Sequence, residues 1–203
     1  EPPPQLGLQD VVAMERESLH SEETQTFWRS EVANYEQTIL PRWPHTPASS
    51  ERKIGHYQTA LTPAISANLK RLAQALGVPL KHVLLAAHMK LLSVLTGQTD
   101  IVTGLVMNTR PETEDGERLL GLCLNTLPLR MELAEGSWRE LINAVGKKEQ
   151  AMLPHRRYPI GELQFKMGGE ALFETAFNFT HFHVYKNILG VSDVAVLESH
   201  GSE

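Results

Sequence analysis

The feature that most constrains the fold is a long apolar helix followed, after one glycine, by a nearly continuous apolar strand. Residues Pro79–Thr96 carry Leu, Val and Ala around most of the predicted helix, which is typical of a buried helix. Gly97 ends it, and Ile101–Met107 follow with the pattern of a strand covered on both faces. A buried helix joined to a buried strand requires packed layers, so we expect an α/β (α+β layered) fold.

Other helices are indicated by their ends. Thr62 and the following proline start a helix whose apolar stripe stops at Gly77. Residues Ser137–Leu153 begin with a capping box, because a glutamate stands three positions after the serine. Residues Ile160–Phe165 continue as one or two further helical turns, and Glu22–Thr38 are typical of a mostly exposed helix.

Four further segments are predicted as strands: Arg52–Leu61, Leu122–Leu133, Phe173–Tyr185 and Val191–Leu197. In the second of these the apolar alternation changes phase at Asn125. A change of phase moves the apolar side chains to the opposite face of a sheet, so we predict a bulge or crossing there.

Composition excludes several classes of protein. With 203 residues, 41% of them hydrophobic and 21% charged, the chain can bury a core and is not dominated by disorder. The net charge of −5, without a long basic run, argues against nucleic-acid binding. No apolar run reaches the roughly 20 residues of a membrane span, and no signal peptide is recognisable. A single cysteine, Cys123, fits a reducing compartment, and we expect a cytoplasmic location.

Candidate functional residues are few, and no complete catalytic constellation is visible. His181 and His183 share a strand face; they could line a groove, pack across the sheet or begin a metal site, but two ligands are too few for a metal. Asn125, inside an apolar strand, is either a satisfied structural amide or faces a substrate channel. Arg130 is either solvent-facing or ion-paired, and Cys123 is expected to be a small buried hydrophobe.

Three motifs in order resemble the condensation domain of nonribosomal peptide synthetases. Residues Leu120–Arg130 are similar to the family's Gly-x-Phe-Val-Asn-Thr…Arg motif, with Cys-Leu in place of Phe-Val. Residues Gly97–Gly104, followed by Arg110, resemble its TGQTD…G…R stretch, and His155–Pro159 resemble HQDYP with arginine at both middle positions. Residues Leu8–Met14 weakly resemble YxDFAVW, whereas the later RDxSRNP motif is not recognisable.

The resemblance implies a chloramphenicol-acetyltransferase-like subdomain, with a mixed sheet covered by helices, beside a tunnel shared with a first subdomain. Carrier proteins would bring phosphopantetheine-tethered donor and acceptor to that tunnel, and no cofactor would be bound directly. The resemblance assigns Asn125, His181 and His183 to the tunnel. It gives structural roles to other motif residues: Asp100, Arg110, Gly121, Thr126, Arg130, His155 and Tyr158.

The family's HHxxxDG motif is absent from this sequence. We therefore expect no catalytic residue here: residues 1–50 would form a linker and entering helix, and residues 51–203 part of the C-terminal subdomain. Expected partners are the N-terminal subdomain, acyl or peptidyl carrier proteins and an adenylation domain. Two alternatives stay open, a non-catalytic docking or scaffold module of the same fold and a stand-alone acyltransferase using His183 as its base.

Overall fold

The strand Asp100–Asn108 lies at the centre of the structure and organises the rest of it. A computed structural model describes residues 6–42, 55–113 and 116–180. We call this central strand β1. It pairs antiparallel with β2 (Leu124–Glu132) and parallel with β3 (Ala176–Phe177), which gives a mixed sheet of order β2-β1-β3.

Six α-helices surround the sheet in the described part of the chain: α1 (Leu8–His20), α2 (Glu22–Glu31), α3 (Pro63–Leu76), α4 (Leu80–Thr96), α5 (Trp138–Met152) and α6 (Ile160–Lys166). Short 3₁₀ turns lie at Gly116–Arg118 and Leu153–His155. The predicted α/β architecture, a mixed sheet covered by helices, is confirmed.

The end signals in the sequence act as predicted. The Thr62 side chain accepts a hydrogen bond from the Ile65 backbone N–H at the start of α3, and Gly77 ends that helix in the left-handed conformation. Ser137 and Glu140 form the predicted capping box of α5. These ends fix where α3 and α5 begin, and therefore which of their faces reach the core.

The core lies between α4, α5 and the sheet. Its fully buried side chains include Leu85, Met89, Leu105, Leu127 and Leu129. The helix α4 is less buried than its sequence suggests, because one of its faces exposes three apolar residues: Leu91, Val94 and Leu95. One apolar face of α4 therefore packs in the core, and another apolar face is exposed to solvent.

Four sequence predictions need correction. The segment Arg52–Leu61 is not a strand over its described part, residues 55–61, where Tyr57 is 93% exposed and no strand pairs with it. The predicted helix Glu22–Thr38 ends at Glu31, and it is not mostly exposed, since Trp28 belongs to the core. Apart from these corrections, the helix α1 is an element that the sequence patterns did not predict.

The bulge predicted at Asn125 is the third correction. Asp100 pairs with Glu132 and Asn108 with Leu124, and the register between them runs without interruption. Leu127 and Leu129 are buried, whereas Leu122 is 83% and Leu124 54% exposed. The change of phase in the sequence therefore marks an exposed apolar surface, not a shift of strand pairing.

The fourth correction is the long strand predicted from Phe173. Of its described part, residues 173–180, only Ala176 and Phe177 pair with β1. Residues 181–203, with the predicted strand Val191–Leu197, lie outside the description. The start of this segment packs closely against β1, where the Phe173 ring lies over Gly104. A Cβ on Gly104 would lie 2.5 Å from Phe173 Cε2 and 2.8 Å from Thr126 Cγ2, so glycine leaves room for the Phe173 ring to cross β1.

None of the described helices is by itself long and apolar enough to cross a membrane. Taken together, α3 and α4 reach that length and composition, but they are bent by 107° at the break between them.

Candidate functional site

Asn125, near the start of β2, is held by the turn that follows α5. Its Nδ2 donates to the backbone oxygen of Arg156 at 3.0 Å and to that of Tyr158 at 2.8 Å. Both amide protons are thus used inside the protein, which satisfies a half-buried polar group. The carbonyl oxygen Oδ1 is the part of this side chain left to accept from a ligand.

A cavity of about 180 Å³ lies between α1, the start of β2 and α6, and Asn125 forms part of its wall. The apolar lining comes from all three elements: Val11, Leu122, Leu124, Pro159 and Ile160. Glu15 and Arg157 add one carboxylate and one guanidinium. Ligand-binding sites combine an apolar lining with a few polar groups in this way, and this cavity is smaller than the roughly 300–1,000 Å³ of a typical small-molecule site.

His155 is buried in the turn that holds Asn125. Its Nδ1 forms a 2.9 Å hydrogen bond with Thr24 Oγ1, and its backbone oxygen accepts from Trp28 Nε1 at 3.0 Å. The imidazole also stacks on Phe27, with ring centroids 4.2 Å apart. Burial lowers the pKa of His155 below its ordinary value, although Glu23 opposes the shift, so the ring is held neutral at pH 7. This imidazole therefore acts as a packing and hydrogen-bonding element.

Tyr158 closes the same turn. Its side chain is buried, its backbone N–H donates to the His155 oxygen at 3.2 Å, and its hydroxyl accepts from Lys166 Nζ at 2.6 Å. The hydrogen bond to Tyr158 raises the pKa of Lys166, which also pairs with Glu162. The lysine therefore remains charged and fixes α6 to the turn beside the cavity.

The two arginines between His155 and Tyr158 fasten the turn to the end of β1. Arg156 donates to the Asn108 backbone oxygen at 2.9 Å and to Glu112 at 2.9 Å. Arg157 donates to the Thr109 oxygen at 3.2 Å, and burial, with the neighbouring Arg156 second, lowers its pKa. The sequence showed that these arginines replace the family's usual residues, but their backbone acceptors could not be identified from it.

Asp100 and Arg130 lie on neighbouring strands and form a bidentate ion pair, with Arg130 Nη2 2.7 Å from Asp100 Oδ2. The same guanidinium donates to the backbone oxygens of Glu31 at 3.3 Å and Ala33 at 2.7 Å. Arg130 therefore joins the edge of the sheet to the end of α2. Of the two environments considered from sequence, the structure places it in the ion-paired one.

The remaining motif residues lie near Asn125, at the end of the β1–β2 ladder opposite Asp100. Arg110 donates to the backbone oxygens of Gly116, at 3.2 Å, and Leu119, so it organises the loop after β1. Gly121 has φ +150°, and a Cβ there would collide with Leu8 Cδ2 of α1. Thr126 faces Val106 across the β1–β2 ladder. The structure thus brings the segment around Asn125 together with the turn at residues 155–158 and with Arg110, whereas Asp100 and Arg130 lie at the other end of the β1–β2 ladder.

Two of the predicted tunnel residues, His181 and His183, lie outside the described residues. Cys123 is buried and free. Within the described ranges no cluster of three or more His, Cys, Asp or Glu side chains could hold a metal ion. The residues that sequence reasoning missed are on α2, where Thr24 and Trp28 are buried against His155; a tryptophan among charges was the available signal.

Comparison with known proteins finds condensation domains and peptide synthetases. The family model of the condensation domain matches residues 2–199. The AMB antimetabolite synthetase AmbE of Pseudomonas aeruginosa is 32% identical over 183 residues, which cover 89% of this chain and 8% of that protein. The ferrichrome siderophore peptide synthetase of Mycosarcoma maydis is 26% identical over 179 residues, 87% of this chain and 4% of that protein.

Two solved structures share the fold. The first condensation domain of the calcium-dependent antibiotic synthetase superimposes with a TM-score of 0.71 at 22% identity, covering 90% of this chain and 40% of that one. The X-domain from teicoplanin biosynthesis gives a TM-score of 0.72 at 22% identity, covering 87% and 42%. The chain therefore spans about two fifths of these solved domains and less than a tenth of the two synthetases.

Proposed function

The chain belongs to the condensation-domain family of nonribosomal peptide synthetases, and on that premise we propose that it forms one wall of a tunnel for amide-bond formation. The donor would be an aminoacyl or peptidyl thioester on one carrier protein, and the acceptor an amine on another. Both would be tethered through phosphopantetheine, while this chain holds no cofactor of its own. The adenylation domain that charges the carrier is the further partner.

The observation that carries this proposal is the arrangement of Asn125. Its amide nitrogen is fully engaged by the turn, and its side chain forms part of a cavity of about 180 Å³. A hydrogen-bond acceptor on a rigid amide can orient an attacking amine, because a fixed partner lowers the entropy cost of reaching the reactive geometry. We extend the proposed tunnel wall to His181 and His183 on the resemblance alone.

Among the described residues around Asn125, we propose groups that position substrate and no general base. His155, in the turn that holds Asn125, is buried, stacked on Phe27 and bonded to Thr24. A general base must reach the proton it removes, and this ring is not part of the cavity wall. The base would come from the HHxxxDG motif of the first subdomain, so the chain alone is expected to be inactive.

An exposed apolar surface next to the cavity supports a partner subdomain at this site. Its members are the side chains of α1 and of the segment before β2: Leu8, Val12, Leu120, Leu122 and Leu124, from 43% to 89% exposed. We call this set the leucine surface. Exposed apolar surface beside a cavity is typical of an interface, because covering it with a partner removes apolar area from water. We propose that the first subdomain covers it in the cytoplasmic synthetase.

The test is reconstitution of amide formation. The chain would be mixed with a separately produced first subdomain bearing HHxxxDG and with donor and acceptor carrier proteins loaded with aminoacyl phosphopantetheine. Product formed only when both parts are present is the expected result, measured by mass spectrometry of the acceptor carrier. Turnover by the chain alone would contradict the proposal. Carrier binding without turnover in the reconstituted pair would instead support a docking module.

A further inference from the structure

One face of α2 contacts the turn at residues 155–158, and this turn binds the Asn125 side chain. Thr24, Phe27 and Trp28 occupy positions i, i+3 and i+4 and therefore share that face. All three contact His155: through a hydrogen bond to Nδ1, a ring stack and a hydrogen bond to the backbone oxygen. The helix α2 thus fixes both the imidazole and the backbone oxygen of His155.

The helix is itself anchored at its far end. Arg130 donates to the backbone oxygens of Glu31 and Ala33, and Lys148 Nζ lies 2.5 Å from the Glu31 carboxylate. Since Arg130 also binds Asp100 bidentately, α2 is attached to the sheet at one end and to the turn at its middle. The helix α2 therefore holds the turn at a fixed position relative to the sheet.

We propose that Thr24 and Trp28 are positioning residues, which fix the turn at residues 155–158 and thereby orient the Asn125 side chain at the cavity. The chain of contacts runs from α2 to His155 and then along the backbone of the turn, where the Tyr158 N–H donates to the His155 oxygen. From the turn, the backbone oxygens of Arg156 and Tyr158 accept from Asn125 Nδ2. Neither residue touches the cavity. Their assigned role in catalysis rests on the proposed function, whereas their effect on Asn125 does not.

The decisive variant is Thr24→Val, which keeps the shape of the side chain and removes its hydroxyl. Two matched controls are available. Thr24→Ser restores the hydroxyl, and Thr26→Val makes the same change at an exposed position of the same helix. If Thr24→Val does not fold, as judged by circular dichroism, Trp28→Phe replaces it, because it keeps an aromatic ring and removes the Nε1–H donor.

The first measurement is the solvent-exchange rate of the Asn125 side-chain protons in the ¹⁵N-labelled chain, with the resonances assigned through Asn125→Asp. Losing a hydrogen bond that fixes the turn should raise this rate about tenfold in Thr24→Val. Thr24→Ser and Thr26→Val should leave it near the wild-type rate. A shift of the His155 signals with unchanged Asn125 exchange would overturn the proposal, since it would confine the effect to the helix contact.

The second measurement is amide formation by the complete condensation domain. Thr24→Val should lower kcat about tenfold with little change in KM, because misplacement of a positioning group raises the barrier more than it weakens binding. Faster Asn125 exchange with wild-type kcat would refute the catalytic role alone. A wild-type domain without amide-forming activity would refute the proposed function, while the exchange measurement would still decide whether α2 orients Asn125.

Discussion

Asn125 Nδ2 lies 2.8 Å from the backbone oxygen of Tyr158, a residue 33 positions later in the chain. The hydrogen bond joins two motifs that the sequence shows only as separate segments. Together with the bond to the Arg156 oxygen, it fixes an amide group in a half-buried site beside a cavity. The stability of this part of the structure and the orientation of Asn125 therefore depend on the same contacts.

Replacing Asn125 by aspartate should destabilise the fold. The new carboxylate would present acceptors to two carbonyl oxygens in place of two N–H donors, leaving both without a partner. We expect a loss of about 2 kcal/mol in the free energy of unfolding, the typical cost of unsatisfied buried polar groups. Urea titration followed by tryptophan fluorescence measures it. Asn143→Asp, at an exposed position of α5, is the control; equal effects of the two variants would contradict the prediction.

Arg130→Lys should loosen α2 from the sheet. Lysine cannot bind the Asp100 carboxylate in the bidentate manner and reach the Glu31 and Ala33 oxygens at once. A loss of about 1–2 kcal/mol is expected in urea titration, the range for hydrogen bonds to charged groups. Backbone amide protons of α2 should exchange faster. Arg139→Lys changes an exposed arginine of α5 and should have no effect. Unchanged amide exchange in α2 of Arg130→Lys would be evidence that Arg130 does not attach α2 to the sheet.

Gly104→Ala tests the crossing of Phe173 over β1. The added methyl group would lie 2.5 Å from Phe173 Cε2 and 2.8 Å from Thr126 Cγ2, so one of these groups must move. We expect a destabilisation of about 1–3 kcal/mol, the usual cost of overpacking. The control is Gly161→Ala, where nothing lies within 4 Å of the new methyl group and where a helix favours alanine. A Gly104→Ala variant as stable as wild type would show that the segment at Phe173 moves freely.

Stability should fall as the pH is lowered through the ordinary range of histidine. Burial lowers the pKa of His88 and of His155, so the unfolded chain binds protons at a higher pH than the folded one. This contribution to stability is complete above the unfolded pKa, about 6.5, and is lost as the pH falls below it. Urea midpoints at pH 7.5 and 5.5 measure the change.

His88→Gln and His155→Gln should each reduce the pH dependence of the urea midpoint. His20→Gln, at an exposed end of α1, should leave it as in wild type. A midpoint that rises toward pH 5.5 in the wild type would have the wrong sign for two histidines held neutral by burial.

The leucine surface is open to a direct test by association. Leu122→Asp places a charge on a residue that is 83% exposed, so the isolated chain should keep its stability. Its affinity for the first subdomain should fall about tenfold or more, because a carboxylate would be buried without a partner. Val94→Asp, on the exposed face of α4, is the matched control. Binding is measured by calorimetry, and equal affinities of the two variants would remove the leucine surface as the contact.

The elements with local signals were predictable from the sequence. Helix α3 begins at a capping threonine and ends at Gly77, α5 begins with a capping box, and β1 carries a nearly continuous apolar run. The physical reason is that caps and periodicity act over four or five residues, and those residues are adjacent in the sequence. The order of the motifs also sufficed to indicate the condensation-domain family.

What only the tertiary structure decided depends on residues far apart in the chain. The apolar phase change at Asn125 is the same pattern whether a strand bulges or an apolar face stays exposed, and the uninterrupted ladder of β1 and β2 distinguishes the two. Thr24 and Trp28 look like ordinary members of a charged helix, yet both are buried against a residue more than 120 positions later. The sequence determined the family and the elements that carry local signals; long-range packing determined that α2, the sheet and the turn together fix Asn125.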